Sequence, residues 1–168
     1  MEKALENAQR LSRNLAEVGA LGIEEPVSLD VNDLVRSAVR GMPAGEIELS
    51  LAPAIAATAA RANDLARALG ALLQNARDAS AGSGPIRVST GQDADGIRVQ
   101  VDDLGEGIPD VIRRRDFDPL YSTSGQRGRG LGITIVRLAA WIAGGRLEIE
   151  SRPEGGTRAV LVLRPAQR

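Results

Sequence analysis

Histidine and cysteine are both absent from this 168-residue sequence, and aromatic residues make up only 2% of it. Without cysteine, the chain can form neither disulfides nor thiolate metal sites. Without histidine, it lacks the commonest general base and the commonest metal ligand. Because 43% of the residues are apolar and so few are aromatic, the chain can build a core, and that core must be aliphatic.

Lysine and long apolar runs are also scarce. Lys3 is the only lysine, and the formal net charge of -1 argues against a nucleic-acid partner held by bulk electrostatics. No apolar run approaches the ~18 residues of a membrane span, and the charged start "MEKALENAQR" is not a signal peptide. We therefore expect a soluble, cytoplasmic chain that contacts neither nucleic acid nor membrane.

The first 21 residues predict an amphipathic helix. Its apolar positions follow a heptad spacing of 4, 3, 4, 3, at Ala4, Ala8, Leu11, Leu15 and Val18. The seam fits either a helix packed on its own domain or one strand of a dimeric bundle. Two glycines and Pro26 then break the pattern, so we expect a first segment at 1–25 and a domain at 26–168.

The rest of the sequence indicates helices packed on a sheet. Helices are predicted over residues 31–40, capped by Asp30 or Asn32, and over 61–80. Three of the strand segments alternate apolar and polar residues, which is typical of a sheet with one wet face. The pattern predicts an α/β (α+β) two-layer sandwich with a mixed, mostly antiparallel sheet. The expected strands are 27–29, 47–51, 84–90, 96–103, 144–151 and 157–164.

A glycine run, "GQRGRGLG", closes a long stretch without periodicity at about 104–129, which has the length of a functional lid. A helix is predicted from about Leu131. Backbone amides at a helix N-terminus favour a phosphate, and Arg127 and Arg129 would add charge-assisted bonds. No Gly-Lys-Ser/Thr follows, so this is not a Walker A loop. Taken alone, the run also fits an ordinary glycine-rich turn.

Two further stretches suggest binding chemistry. In "DDLGEGIPD", Asp103 ends a predicted strand, where its carboxylate can accept a hydrogen bond from an exocyclic amine such as that of adenine. In "ALLQNARDAS", Asn75 lies within the long helix, where asparagine is mildly unfavourable, and its oxygen suits Mg²⁺. A solvated turn aspartate and an exposed amide are the alternative interpretations.

Together, and in this order, the motifs resemble the catalytic ATP-binding domain (HATPase, GHKL-type) of bacterial sensor histidine kinases, which has the Bergerat fold. "NARDA" is similar to the N box, "DLGEGI" to the first glycine box, "DFDPLYSTS" to the F box and "GRGLGITIV" to the second glycine box. "EGGTRAVLVL" resembles the closing strand pair. The resemblance covers about Pro26 to Pro165, and residues 1–25 are similar to the end of the second dimerisation helix.

The resemblance implies ATP and Mg²⁺ as cofactors. Asn75 would hold Mg²⁺, and Asp103 would bind the adenine amino group with help from Thr157 through water. Phe117 would anchor the lid. The remaining residues of the implied nucleotide site frame the base or surround the phosphates: Gly105, Gly107, Ile108, Asp78, Thr123, Arg127, Gly128, Arg129, Gly130, Leu131 and Gly132.

Some positions depart from the family pattern. Ala71 stands where the N box often has asparagine and where hydrolytic members have a glutamate base, so water activation by that route is not expected. The F box lacks its usual lysine after Thr123, a charge that Arg127 or Arg129 would replace, and Leu120 stands where phenylalanine is common. These changes bear on affinity and rate more than on the fold.

The missing histidine bears on function. A sensor kinase transfers phosphate to a histidine of its own dimerisation helix, and this chain has none. We therefore expect transfer of the ATP γ-phosphoryl to a histidine outside this chain. The full-length kinase would be a homodimer with a response regulator as its partner. Whether that kinase is anchored in a membrane is not determined by this sequence. Two alternatives remain: a nucleotide-binding regulatory module without transfer, and a stand-alone serine kinase of the anti-sigma-factor type.

Overall fold

The structure is a computed structural model that describes residues 21–80, 82–107 and 130–166, together with Ala16 and Gly19. Of the helix expected over residues 1–21, only Ala16 and Gly19 are described, and both are helical. The predicted lid lies outside the described residues from residue 108 onward. The described elements are β1 (Val27–Leu29), α1 (Val31–Val39), β2 (Ile47–Ser50), β3 (Thr58–Ala60), α2 (Ala62–Ser80), β4 (Ile86–Asp93), β5 (Gly96–Asp102), α3 (Gly130–Ile142), β6 (Arg146–Ser151) and β7 (Thr157–Leu163).

Five strands form one mixed sheet in the order β2-β4-β5-β7-β6. Only the β2–β4 pair is parallel among the described strands, and the other three pairs are antiparallel. The mixed, mostly antiparallel sheet expected from the sequence is therefore confirmed. β1 and β3 form a separate antiparallel pair.

β3 was not predicted, because its alanine-rich sequence has little intrinsic strand preference. Tertiary contacts hold it in place. Ala60 pairs with Val27 of β1, and the buried Thr58 donates its hydroxyl to the Arg164 carbonyl at 2.8 Å.

The helices lie on one face of the sheet, as the alternation of the strands indicated. In β5, Ile97, Val99 and Val101 are buried against the helices, while the residues between them face the other way. Each leucine that α2 buries there contributes about 2 kcal/mol by leaving water. The result is a two-layer sandwich with an aliphatic core, and none of its described core residues is aromatic. No described helix is both long and apolar enough to cross a bilayer.

Asp30 rather than Asn32 caps α1. The Asp30 carboxylate accepts the backbone N–H groups of Asn32 at 2.8 Å and Asp33 at 3.2 Å. The buried Asn32 amide instead donates to the Ala52 carbonyl at 2.9 Å and accepts the Thr90 hydroxyl at 2.6 Å. The first bond ties α1 to the segment after β2, and the second ties it to β4.

The chain before β1 is attached to the first turn of α2. The Gly22 N–H donates to the buried Asp64 carboxylate at 3.0 Å, and Arg61 and Asn63 donate to Glu24. Residues 22–24 therefore bond to the domain, although the sequence placed them in the N-terminal segment. The boundary near residue 25 stays a prediction.

One row of charges crosses the open face of the sheet, alternating in sign from strand to strand. Strand pairing places Glu48, Arg87, Asp102, Arg158 and Glu150 side by side. Arg158 donates to both oxygens of Asp102 at 2.9 Å, and Arg87 donates to Glu48 at 2.9 Å. Cross-strand ion pairs of this kind favour one pairing register over its neighbours.

β7 is apolar on both faces, which explains its unbroken apolar run. Leu161 and Leu163 belong to the core, while Val162 is also buried although it faces the other way. Val162 lies in register between Arg98 of β5 and Arg146 of β6. The apolar stems of these arginines cover it while their charged ends reach water.

The charged row predicts an asymmetric response to neutralisation. Asp102 is 5% exposed, so Asp102→Asn should lower the free energy of unfolding by about 2–3 kcal/mol because it removes the buried charge that accepts two hydrogen bonds from Arg158. Glu48→Gln, which breaks an exposed pair in the same row, should cost less than about 0.5 kcal/mol. Urea unfolding followed by circular dichroism measures both, and equal losses would contradict the account.

Candidate functional site

Asp103 lies just beyond β5 and is 6% exposed. Its Oδ1 accepts the backbone N–H groups of Gly105 at 2.8 Å and Thr157 at 3.1 Å, and its own N–H donates to the Thr157 carbonyl at 2.9 Å. Among the described residues, both hydrogen bonds of the carboxylate end on Oδ1. Oδ2 is therefore the atom that can accept a donor from a ligand.

Gly156 allows the chain entering β7 to cross directly over Asp103. A Cβ on Gly156 would lie 1.9 Å from the Asp103 carbonyl oxygen, and the residue has a φ of +88°. Gly107, with a φ of +76°, packs in turn against Gly156, whose carbonyl oxygen would be 3.2 Å from its Cβ. Both positions require glycine, because any side chain would push the two backbone segments apart.

One face of α2 meets both glycine-bearing segments. A Cβ on Gly105 would lie 2.6 Å from the Ala79 carbonyl oxygen, and a Cβ on Gly132 would lie 3.1 Å from Asn75 Oδ1. Asn75 and Ala79 are four residues apart, so they share a helix face. The structure therefore brings together the three stretches that the sequence singled out.

The Asn75 side chain has a nitrogen without a partner in the described part of the chain. This Nδ2 is buried and makes no hydrogen bond there, a condition that costs on the order of 1–3 kcal/mol. No cluster of three or more acidic residues suited to a metal occurs in the described part of the chain. A cation at Asn75 would therefore take its other ligands from phosphates and water, which suits Mg²⁺.

The other predicted site residues divide into four groups. Thr157 joins the cluster through its backbone bonds to Asp103. Asp78 is not brought into it: its side chain is exposed and accepts the Gln74 amide at 2.8 Å on the same helix. α3 begins at Gly130, one residue before the predicted start, so Leu131 lies in its first turn. The remaining predicted residues lie outside the described part of the chain: Ile108, Phe117, Thr123, Arg127, Gly128 and Arg129.

Sequence reasoning missed the charged residues behind Asp103. The Arg152 side chain is buried and donates to the Asp103 carbonyl oxygen at 3.1 Å and to Glu154; the latter bond lowers the pKa of the Glu154 carboxyl. The hydrogen bonds to Asp102 raise the pKa of Arg158, outweighing burial, which would lower it. An arginine beside a proline in a turn is ordinarily exposed, so the sequence contains no signal for Arg152.

A depression of about 220 Å³ on the open face of the sheet is a separate feature. None of the predicted site residues lines it, and its charged groups are already paired, as in the 2.8 Å bond from Arg98 to Glu148. Burial alone would raise the pKa of Glu148, but hydrogen bonds from Arg146 and Arg98 lower it. The depression therefore offers no unpaired charge to a ligand.

Comparison with known proteins gives a consistent set of relatives. Residues 60–167 match the family described as Histidine kinase-, DNA gyrase B-, and HSP90-like ATPase. The sensor protein CreC of Escherichia coli (strain K12) is 36% identical over 121 residues, which make up 70% of this chain. The chain spans only 26% of the length of CreC.

Two solved structures share the fold over nearly their whole length. The ATP-binding domain of PrrB from Mycobacterium tuberculosis superposes with a TM-score of 0.62 at 25% identity, covering 86% of this chain and 100% of that one. The histidine kinase domain of the E. coli osmosensor EnvZ superposes with a TM-score of 0.66 at 27% identity, covering 88% of this chain and 94% of that one.

The crossing at Asp103 predicts different costs for two adjacent glycines. Gly155→Ala should lower the free energy of unfolding by about 1 kcal/mol, because its φ of +95° is left-handed but a Cβ would meet no neighbour within 4 Å. Gly156→Ala has the same backbone penalty and also a clash with the Asp103 carbonyl, so it should lower the free energy of unfolding by about 3 kcal/mol or more. Urea unfolding of the two variants measures the difference. Similar losses of unfolding free energy would show that the chain does not cross over Asp103 at Gly156.

Proposed function

Because the chain belongs to the family of histidine kinase-, DNA gyrase B- and HSP90-like ATPases, we propose that the cluster around Asp103 and Asn75 binds Mg²⁺-ATP as the catalytic site of a two-component sensor histidine kinase. The family and the fold expected from the motifs are confirmed. The individual residue roles are our proposal, and one observation carries it: both glycine segments meet one face of α2, at Asn75 and Ala79.

Asp103 is suited to bind the adenine base. Its Oδ1 is held by two backbone N–H groups, so Oδ2 has a defined direction and can accept the 6-amino group. Gly105 and Gly107 let the segment after β5 pack against Ala79 and Gly156, which fixes the backbone beside Asp103. Thr157, bonded to Asp103 through its backbone, is placed to assist through a bridging water.

The start of α3 is suited to bind the phosphates. Gly132 lies in its first turn against Asn75, and the N-terminus of a 13-residue helix presents free backbone N–H groups and the positive end of its dipole. Asn75 would hold Mg²⁺ through its side-chain oxygen. When bound, Mg²⁺ supplies neutralisation of the charge on the phosphate oxygens.

Positioning and charge neutralisation are the chemistry that this arrangement supports. The domain would hold ATP so that a histidine outside this chain attacks the γ-phosphoryl in line. Ala71, one turn before Asn75, has no group that takes a proton from water, so the site lacks that route to hydrolysis. The proposed setting is a cytoplasmic domain of a homodimeric kinase, with its own histidine-bearing dimerisation domain and a response regulator as partners.

Removing the Asn75 amide tests the magnesium role. Asn75→Ala should weaken binding of ATP about tenfold or more when Mg²⁺ is present, and much less when EDTA removes it, because only the cation-dependent part is lost. Isothermal titration with and without Mg²⁺ measures this.

Gln74→Ala serves as the matched control for Asn75→Ala, because Gln74 is the exposed neighbour that bonds only to Asp78 on the helix surface. Its ATP affinity should be unchanged. An equal loss for Asn75→Ala with and without Mg²⁺ would show that Asn75 is not a metal ligand.

A phosphotransfer assay separates the kinase from a second candidate. The second candidate is a nucleotide-binding regulatory module that never transfers phosphate. It is favoured by the absence of histidine from the chain, because the chain then carries no phosphate acceptor of that kind. Incubation with labelled ATP and an added histidine-bearing dimerisation domain should label that histidine if the domain is a kinase. Tight Mg²⁺-ATP binding without labelling would support the module, and labelling of an antagonist protein on serine would support an anti-sigma-type kinase.

A further inference from the structure

Arg152 points inward from an exposed turn. The turn joins β6 to β7 and is closed by hydrogen bonds from the Arg152 N–H to the Gly156 carbonyl at 3.0 Å and from the Gly155 N–H to the Arg152 carbonyl at 3.1 Å. Pro153, Glu154 and Gly155 are exposed, whereas the Arg152 side chain is only 5% exposed. An arginine at such a position would normally extend into water.

The salt bridge to Glu154 does not explain this burial. Glu154 is itself exposed, and an ion pair with an exposed partner contributes at most about 1 kcal/mol. Arg152 Nε also lies 4.0 Å from the buried Asp102 carboxylate, whose two oxygens accept hydrogen bonds from Arg158 at 2.9 Å. The buried hydrogen bond of the Arg152 side chain runs 3.1 Å from Nη1 to the Asp103 carbonyl oxygen.

That bond sets the orientation of the Asp103 backbone. The Asp103 N–H is fixed by the Thr157 carbonyl at 2.9 Å, its carbonyl oxygen by Arg152, and the same oxygen packs against Gly156. With both peptide groups fixed, the carboxylate can place Oδ1 on its two backbone donors. Without Arg152, the Asp103 carbonyl would be buried with one donor fewer, and the peptide between Asp103 and Leu104 would lose the hydrogen bond that fixes its orientation.

We propose that Arg152 is a positioning residue for nucleotide recognition, which holds the Asp103 carbonyl so that the Asp103 carboxylate meets the adenine amino group. This inference rests on the proposed function, since it assigns to Asp103 the reading of adenine. It goes further in assigning base selectivity to a side chain that touches neither the nucleotide nor the metal.

Amine selectivity is the measurement that separates positioning from stability. It is the ratio of the Kd for purine riboside triphosphate, which lacks the 6-amino group, to the Kd for ATP, both with Mg²⁺ and measured by isothermal titration. Arg152→Met, which keeps the apolar stem, should lower this ratio about tenfold, the equivalent of roughly 1.4 kcal/mol. Affinity for purine riboside triphosphate should change by less than about twofold.

Two control variants remove charges without touching Asp103. Glu154→Gln breaks the exposed salt bridge and leaves the Arg152–Asp103 bond intact, and Arg98→Met removes an arginine of the same sheet that pairs with Glu148. Both should keep the wild-type selectivity. If Arg152→Met weakens binding of both nucleotides equally, or matches Arg98→Met in selectivity, Arg152 is only structural and the proposal is overturned.

Asp103→Asn distinguishes failure of this inference from failure of the proposed function. The amide can still accept both backbone N–H groups but presents a donor to the adenine amine, so selectivity should be lost. Unchanged selectivity in Asp103→Asn would refute adenine reading itself. Lost selectivity there, with wild-type selectivity in Arg152→Met, would refute only the role of Arg152.

Arg152→Lys tests the positioning role of Arg152 if circular dichroism shows that Arg152→Met does not fold. Lysine keeps a cation and one donor for the Asp103 carbonyl but loses the planar fork that also reaches Glu154. A selectivity between those of the wild type and Asp103→Asn supports positioning. Wild-type selectivity together with a lower melting temperature would assign the residue to stability alone.

Discussion

The crossing of the chain before β7 over the end of β5 is the constraint on which the site depends. Asp103 and Thr157 exchange backbone hydrogen bonds there, and Gly156 lies against the Asp103 carbonyl at a distance that excludes any side chain. The crossing fixes the buried Asp103 carboxylate, whose Oδ1 accepts both of its backbone donors. It also connects the site to the open face of the sheet, because the next residue back, Asp102, anchors the row of alternating charges.

The second constraint is the small-residue face of α2. Ala79 lets the Gly105 segment approach the helix backbone, and Gly132 lets the start of α3 approach Asn75. Close packing of this kind would ordinarily exclude a polar side chain, yet Asn75 lies there with an amide nitrogen that has no hydrogen-bond partner among the described residues. An unsatisfied buried amide lowers stability, so the described fold alone gives no reason for an asparagine at this position. This is the expected pattern at a site where function opposes local stability.

The charged residues on the open face of the sheet help to fix the strand register that places Asp103 beside Thr157. No described helix covers the strands on that face, and Val162 is buried there between the in-register Arg98 and Arg146, whose apolar stems are suited to cover it. The ion pairs of Asp102 and Arg158 favour one register for β5 and β7. A shift of one residue in that pairing would separate Asp103 from Thr157 and turn the core residues of one strand toward water.

The sequence by itself determined most of the elements and their order, the one-sided sheet and the family, because alternation, helical spacing and four ordered motifs are local properties. It also singled out Asn75, Asp103 and Gly132 as candidates, since an amide within a helix, an acid at a strand end and clustered glycines stand out by residue type. Only the tertiary structure decided that β3 is a strand, that Asp30 rather than Asn32 caps α1, and that Arg152 turns inward. Those outcomes depend on partners 20 to 106 residues away, such as Ala52 for Asn32 and Arg164 for Thr58, and no local pattern encodes which distant groups will meet.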